Sequence, residues 1–491
     1  MTARDVIDTD VIDTDVIETD VLVIGAGVVG TAIALRLSRL SASVAVIERR
    51  HDVGDSTSKS NSGMTASGWT LPPDSLEGRL VIASSPRWED LSARLGVEFR
   101  RCGVVALCRD EQDLSQAERL ADNAQRGGVE ARLVEGSELA AVAPHANPAL
   151  KAGVYVPGEG VIDSVRLPVA YAKLAALNGV RFFLEEPATG ADSDGRMITE
   201  VQTPRHRFRP RFVVNSAGLG ADQVSRLLGT EDFTVGPRRG QWLLLDRDFG
   251  ARVPLVLTGM PNERTHGVMV IPTAHGSVML GPTAEDIDDK EDRGTDSDTI
   301  AAVLAECRTL MPDIDERYVI KTFAGVRSHS VPTYRIERSA LADNLVTVAG
   351  IRSTGVSGSP GIADYVTELL IEAGLPAKEK ARFIDRLSGP PPLRMSRDCA
   401  ASAQDPLGRT VVCTCEKVTA AEIHRALAEP LAARSITGIA RRTHATWGRC
   451  QGSACLSGVT FIASLYLGKQ AWELPVGEPS ATLGVAPARR V

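Results

Sequence analysis

Asp20-Val21-Leu22-Val23-Ile24-Gly25-Ala26-Gly27-Val28-Val29-Gly30 is the stretch on which the fold turns. Its four consecutive apolar residues read as a short strand buried on both faces, as in a parallel sheet. The glycines then follow at the spacing of a dinucleotide-binding turn. Gly25 permits the tight bend, Gly27 lets the backbone approach a pyrophosphate, and Gly30 allows helix and strand to pack closely. The helix, expected from Val28 to Leu40, offers free N–H groups to the phosphates. A second strand is expected from Ser43 to Ile47. Glu48 at its end, 18 residues after Gly30, can accept hydrogen bonds from an adenosine ribose. Strand, helix and acid in this order predict a nucleotide cofactor, without choosing between FAD and NAD.

Downstream, strand and helix signals alternate. Arg101–Leu107, Gly153–Val156, Val180–Leu184, Phe212–Asn215 and Leu345–Ala349 read as strands, and Leu167–Leu177 as a helix. From Gln241 to Leu280 the pattern is mostly strands and turns, including Gln241–Leu245, Gly267–Ile271 and Ser277–Leu280. That predicts an antiparallel sheet inserted into a doubly wound domain. A glycine-rich loop, Gly350 to Gly361, precedes a helix running to about Ala373. Ser388-Gly389-Pro390-Pro391-Pro392 breaks both periodicities and marks a linker. At the front, residues 5–19 repeat a five-residue acidic unit whose period fits neither strand nor helix. It is expected to be a solvated extension, with order beginning at Asp20. A Pro/Gly/Ala-rich tail from about Pro475 is expected to be disordered.

The 491 residues suffice for two or three domains with ample core. A net charge of −7 gives no footprint for nucleic acid. No apolar run reaches the ~18 residues that span a bilayer, and the acidic N-terminus lacks the layout of a secretory signal. A cytoplasmic protein is expected, reaching a membrane only by docking through a partner. In that compartment thiols stay reduced, so clustered cysteines favour metal over disulfide.

Beyond the linker the cysteines do cluster: Cys413-x-Cys415, a gap of 34 residues, then Cys450 and Cys455 as C-x4-C. Four thiolates complete a 2Fe–2S centre, two on each iron. Four also complete a structural zinc, whose usual spacing is C-x2-4-C twice. The C-x-C spacing favours iron–sulfur and leaves zinc at the same cysteines as the alternative. Gly448 and Gly452 would let backbone N–H groups approach the sulfurs. Cys102, Cys108 and Cys307 have no partner at metal spacing and are expected to be buried and unreactive. Cys399 gives C-x13-C, which is no ligand spacing.

Further motifs narrow the cofactor. They are Glu48-Arg49-Arg50, Ser56-Thr57-Ser58-Lys59-Ser60-Asn61-Ser62-Gly63-Met64 and Val213-Val214-Asn215-Ser216-Ala217-Gly218. Phe323-Ala324-Gly325-Val326-Arg327 and Ala349-Gly350-Ile351-Arg352-Ser353-Thr354-Gly355 follow. In order and spacing, over about residues 20–375, the chain resembles the D-amino-acid oxidase/glycerol-3-phosphate dehydrogenase superfamily. Gly281-Pro282-Thr283-Ala284-Glu285-Asp286 is similar to a stretch characteristic of its bacterial glycerol-3-phosphate dehydrogenases and 2-hydroxyglutarate oxidases. The resemblance implies FAD, contacted by Gly25, Gly27, Gly30, Glu48 and Ser58, and by Ala188, Ala217 and Gly218. It implies an isoalloxazine between the two domains, beside Asn61, Ser62 and Met64 and beside Gly350, Arg352, Gly355, Val356 and Ser357. One departure stands out. Many relatives carry Asn-Ser-x-x-x-His-Ala-Gly, whereas Ala66 occupies the histidine position here.

Cys413–Lys417 with Gly448-Arg449-Cys450-Gln451-Gly452-Ser453-Ala454-Cys455 resembles the bacterioferritin-associated-ferredoxin-like domain over about residues 408–468. That resemblance implies the four cysteines as 2Fe–2S ligands. The expected fold class is therefore α/β: a Rossmann-like FAD-binding domain, an inserted α+β substrate domain of mostly antiparallel sheet, and a small C-terminal iron–sulfur domain. The FAD-binding domain is expected over 20–95, 156–230 and 326–385, and the substrate domain over 96–155 and 231–325. A linker over 386–407, the cluster domain over 408–470 and a tail over 471–491 complete the chain.

Oxidising an alcohol or amine at a flavin needs a base for the O–H or N–H proton and a cation for an anionic substrate, for which arginine suits carboxylate or phosphate. Arg327 is the first candidate, since superfamily relatives hold the substrate anion with the arginine of a Gly-x-Arg signature. Arg352 is placed to stabilise reduced flavin or touch substrate, while Arg335 and Arg338 are weaker candidates. For the base, His329 shares the face of Arg327 on a strand, and His266 and His275 flank a predicted hairpin. His424 and His444 lie in the cysteine module, apart from the predicted chemistry. The expected function is an FAD-dependent dehydrogenase acting on a small anionic hydroxy compound, glycerol 3-phosphate or a 2-hydroxy acid. Electrons would leave through the cluster to an acceptor protein or a quinone-linked subunit. An amino-acid or amine dehydrogenase or oxidase, and a non-catalytic electron-relay subunit, are the alternatives.

Overall fold

Val21, Leu22, Val23 and Ile24 are at most 4% exposed, as a central strand covered on both faces requires. They belong to Asp15–Ile24, which lies in an eight-stranded sheet. Five strands of that sheet run parallel, in the order Leu345–Ala349, His206–Asn215, Asp15–Ile24, Val44–Glu48 and Arg181–Leu184. Helices Val28–Leu37, Arg166–Leu177 and Gly355–Glu372 bury Ile33, Leu37, Leu167, Ile362 and Val366 in one core with Val21 and Val23. The computed structural model describes residues 15–262, 267–329, 334–388, 406–428 and 430–484. The first part of the acidic repeat, His266, Pro390–Pro392, Cys399 and residues 485–491 lie outside the described residues.

The first strand begins at Asp15, five residues before the expected Asp20. Asp15–Thr19 continue the parallel register against His206–Pro210. The acids that suggested a solvated extension meet cations on that neighbour: Glu18 lies 3.8 Å from Arg209, and Asp20 lies 2.9 Å from Arg211.

A nine-stranded, mostly antiparallel sheet forms the second layer. Its two long strands, Gly236–Leu245 and Val319–His329, pair along their lengths. Val319–His329 thus runs past Val326 as one continuous strand of this sheet. Helix Ser297–Leu310 covers it, burying Val303, Leu304 and Cys307 beside Leu243 and Leu280. Burial pushes the Cys307 thiol up to about 12 and that of Cys108 to about 11, which keeps both unreactive. A three-stranded sheet of Met64–Thr65, Gly160–Ile162 and Phe99–Arg101 stitches the two layers together.

The cysteine module has its own core, built by a short hairpin (Val411–Cys413 and Val418–Thr419) and helices Ala420–Leu427, Ile436–Thr443 and Leu456–Leu467. Thr419 and Glu422 cap the first of these helices reciprocally. Buried ion pairs fasten the module to the first layer. Arg441 binds Asp52 at 2.7 Å and Asp55 at 2.5 Å, and Arg442 binds Asp52 at 2.7 Å. Burial alone would raise the Asp52 carboxyl, but Arg442 and Arg441 hold it well below the usual carboxylate range. The tail, expected to be disordered from Pro475, is described through residue 484, mostly exposed but tied back by backbone hydrogen bonds such as Leu483 N–H to Leu474 O (3.0 Å). Ile436 and Thr437 donate their N–H groups to Pro475 and Val476 at the start of a helix, where backbone donors otherwise lack partners. Among the described residues, no helix is long and apolar enough to cross a membrane.

Candidate active site and cluster site

The first strand–helix turn opens a cleft lined by Gly25, Gly27, Val28, Glu48, Ala188 and Gly218. Gly25 sits at φ +102°, and a Cβ there would come within 2.7 Å of Ser216 O. Gly30 lies behind the cleft rather than in its wall. A Cβ at that position would meet Gly25 O at 1.9 Å, so the glycine is demanded by packing. Glu48 accepts hydrogen bonds from the N–H groups of Ala26 (2.7 Å) and Arg50 (2.8 Å), which aims its carboxylate along the cleft. Ser58 accepts the N–H of Val28 at 2.9 Å. Ala217, Gly350, Gly355 and Val356 line the far side. A backbone-lined slot ending at a carboxylate fits an adenine dinucleotide.

The cleft continues into a second cavity between the two layers; Thr57, Asn61, Ser328, Arg352 and Ser353 line both. Ser62, Met64 and Ser357 face this second cavity, as does Ala66. Ser357 accepts the N–H of Ala66 (2.9 Å) and donates to Met64 O (3.0 Å), so backbone and hydroxyl satisfy one another beside Ala66.

Among the described residues, the titratable side chains lining this cavity are Glu159, Arg238, Arg327, His329 and Arg352. Arg327 and Arg238 are directly opposed in the antiparallel ladder, an arrangement of like charges that is unfavourable unless compensated. Asp286 compensates Arg238 through a two-point ion pair at 2.6 and 3.1 Å. Arg352 is held by buried Glu77 at 2.7 Å, whose other oxygen accepts from Thr354 at 2.6 Å. The Arg327 guanidinium makes no hydrogen bond or ion pair among the described residues. Burial, with Arg238 and Arg352 nearby, pushes it down to about 10. Among the described residues, the cavity therefore carries a positive charge that no ion pair neutralises.

His329 lines the same cavity, as its shared strand face predicts. Burial and Arg238 lower its imidazole below the ordinary 6.5, so it is neutral at neutral pH. His266 lies outside the described residues, and Arg335 and Arg338 stand apart from the cavity lining. Two cavity residues escaped the sequence reading. Arg238 sits next to another arginine in a polar run, and only strand register shows which faces inward. Glu159 is buried behind the wall, where Ser67 donates to it through its N–H (2.8 Å) and its hydroxyl (2.7 Å). Burial pushes the Glu159 carboxyl up to about 7.

In the C-terminal module Cys413 and Cys455 are buried, while Cys415 and Cys450 are half-buried. The thiols pair within hydrogen-bonding range as Cys415 with Cys450 and Cys413 with Cys455; burial and Cys413 push Cys455 up to about 12. Among the described residues no three cysteine sulfurs lie within 4.8 Å of one another. A single tetrahedral zinc would draw all four to about 4 Å, whereas two irons bridged by sulfide need a wider cage. The loops around them are wound tightly: Lys417, Thr446 and Gln451 all have positive φ. Gly448 is required, because a Cβ would stand 2.3 Å from Cys415 Cβ. The donor set and its spread fit 2Fe–2S.

Residues 20–369 match the FAD dependent oxidoreductase family. The chain belongs to that family. Residues 411–462 match the BFD-like [2Fe-2S] binding domain, so this FAD-dependent oxidoreductase carries FAD and 2Fe–2S as its cofactors. It is 30% identical to a glycerol 3-phosphate dehydrogenase from Caloramator mitchellensis over 451 residues, covering 90% of this chain and 93% of the relative. It is 25% identical to one subunit of the anaerobic glycerol-3-phosphate dehydrogenase of Escherichia coli strain K12, covering 84% of this chain and 81% of that subunit. In fold it is similar to the FAD-bound L-alpha-glycerophosphate oxidase of Mycoplasma pneumoniae, with a TM-score of 0.71 and 24% identity over 76% of this chain and 99% of that one.

Proposed function

We propose that the protein is a dehydrogenase of small anionic hydroxy compounds, with glycerol 3-phosphate the leading substrate and 2-hydroxy acids next. One observation carries the reading: the Arg327 guanidinium, opposed by Arg238 and without a hydrogen bond or ion pair among the described residues, in a cavity continuous with the nucleotide cleft. The full-length similarity to a glycerol 3-phosphate dehydrogenase supports the choice of substrate.

Bound FAD supplies the hydride acceptor. Everything else falls to the chain. Arg327 binds the phosphate or carboxylate, and its planar fork sets the orientation of the carbinol. Arg238 raises the local potential while Asp286 fixes its angle, and Glu77 fixes Arg352 at the mouth between cleft and cavity. His329, neutral at neutral pH, accepts the hydroxyl proton. The inter-layer position of the cavity keeps bulk water from the reacting carbon.

Electrons then leave through the 2Fe–2S module to an acceptor protein or quinone-linked subunit. The Escherichia coli relative is one subunit of its enzyme, which supports an assembly with partners. Anaerobic mixing with glycerol 3-phosphate, 2-hydroxy acids and amino acids in turn tests the reading. Flavin bleaching by the first or second class is expected, with little peroxide in air; bleaching by amino acids alone would overturn it.

A further inference from the structure

Three histidine- and carboxylate-bearing segments meet outside the substrate cavity, where the two sheets and the cysteine module touch. Asp163 is the hub. Its Oδ1 accepts the N–H groups of Val165 (3.1 Å) and Arg166 (3.0 Å). Its Oδ2 lies 2.8 Å from His444 Nε2 and 3.3 Å from His275 Nε2. The Asp163 side chain is 1% exposed and that of His444 9%. The two imidazole rings lie 4.1 Å apart. Glu98, itself paired with Arg166 at 2.8 Å, stands 3.9 Å from His275 Nδ1.

On one side the hub is one residue from the loop that ends the nucleotide cleft. Ile162 donates its N–H to Gly63 O at 2.8 Å, and Ser164 Oγ donates to Asn61 O at 3.1 Å. Asn61 lines both cleft and cavity. On the other side His444 ends helix Ile436–Thr443 at φ +66°, in the left-handed region where glycine is least strained. Its ring contacts Trp447 at 5.3 Å, its carbonyl accepts the Trp447 N–H at 3.2 Å, and the next residue, Gly448, packs on Cys415. Two hydrogen bonds, Ile162–Gly63 and Asp163–His444, thus join the cleft loop to the cysteine loop.

We propose that Asp163 and His444 form the bridge between the two redox centres, holding the cysteine module on the Asn61–Met64 loop so that electrons pass singly from flavin to cluster. The proposal rests on the reading that electrons leave through the cluster. Reoxidation of the two-electron-reduced flavin anion releases two electrons and one proton. Each electron converts one ferric iron of the cluster to ferrous, a one-electron acceptor protein reoxidises it between transfers, and the proton goes to solvent. Asp163 and His444 are positioning residues and undergo no net change.

The test reduces the flavin of the intact protein anaerobically, once with glycerol 3-phosphate and once by light with a sacrificial donor, and follows cluster reduction by absorbance and electron paramagnetic resonance. Asp163→Asn keeps the acceptor for Val165 and Arg166. It is expected to slow cluster reduction at least tenfold, while flavin content, iron and sulfide content, the resonance spectrum and the rate of flavin reduction stay as in wild type. His444→Phe should act in the same way and carries the test if Asp163→Asn loses a cofactor. Glu478→Ala, which cuts a peripheral tie between the module and Arg50 (2.7 Å), should leave the rate unchanged. Wild-type cluster reduction in cofactor-replete Asp163→Asn or His444→Phe would overturn the proposal, as would a divalent ion held by Asp163, His275 and His444. Failure of glycerol 3-phosphate alone, with the light-driven arm intact, would refute the substrate and leave the bridge standing.

Discussion

The nucleotide cleft and the substrate cavity adjoin, yet they are made in opposite ways. The cleft is largely backbone: glycines set by sterics, N–H groups aimed by a helix, and one carboxylate at a strand end, much of it within residues 21–48. The cavity is made of side chains from distant segments. Arg238 and Arg327 meet only through strand register, and Glu77 reaches Arg352 across 275 residues. The cleft tolerates little variation at Gly25 and Gly30, where a single added carbon collides. Side-chain sites can be retuned one residue at a time, which is how one fold serves alcohols and amines alike.

The sharpest way to break the comparison is Gly30→Val. With a Cβ already 1.9 Å from Gly25 O, the helix must separate from its strand, and the purified protein is expected to lose at least nine-tenths of its flavin absorbance. Next is Arg327→Ala, which should retain full flavin while kcat/KM for the anionic substrate falls on the order of 10²–10³-fold, the usual consequence of truncating a buried charge partner. Arg327→Lys should recover only part, since a point charge does not replace a fork. A pH profile of kcat/KM comes third. Activity should fall on the acid side as His329 gains its proton, with a midpoint below 6.5, and on the alkaline side as Arg327 loses its charge near 10. His329→Gln should remove the acid limb alone.

The smallest effect concerns stability. The Glu159 carboxyl is raised from 4.5 to about 7, so the folded state binds its proton more tightly than the unfolded state. That contribution is present below 4.5 and is lost as pH rises through about 7. Glu159→Gln keeps the acceptor for Ser67 without the charge. Its unfolding free energy should exceed that of wild type at pH values above about 7, by up to about 3 kcal/mol in denaturant titrations, with the difference shrinking in acid.

The same contrast explains what the sequence discloses. Val21–Gly30 and Glu48 form one local strand–turn–helix–strand pattern, legible because chain neighbours remain neighbours there, whereas the cysteines show two local spacings whose thiols pair across the intervening chain, Cys415 with Cys450 and Cys413 with Cys455. Arg327 and His329 were legible for a related reason, since two residues apart on a strand share a face. Arg238, Glu159 and Asp163 were not. Arginines adjacent in sequence point to opposite sides, and only pairing with Asp286 and Arg327 shows which turns inward. The early start of the first strand escaped notice because its acids are neutralised by arginines nearly 200 residues away.

The central claim is that Arg327 seats an anion so that its carbinol is oxidised at the flavin. Anaerobic rapid mixing of wild-type and flavin-replete Arg327→Ala protein with glycerol 3-phosphate tests it most directly. Prompt bleaching of the flavin band in wild type, slowed on the order of 10²-fold or more in the variant at equal substrate, is the predicted result. Equal bleaching in both proteins, or none in wild type with any anionic hydroxy compound, would contradict it.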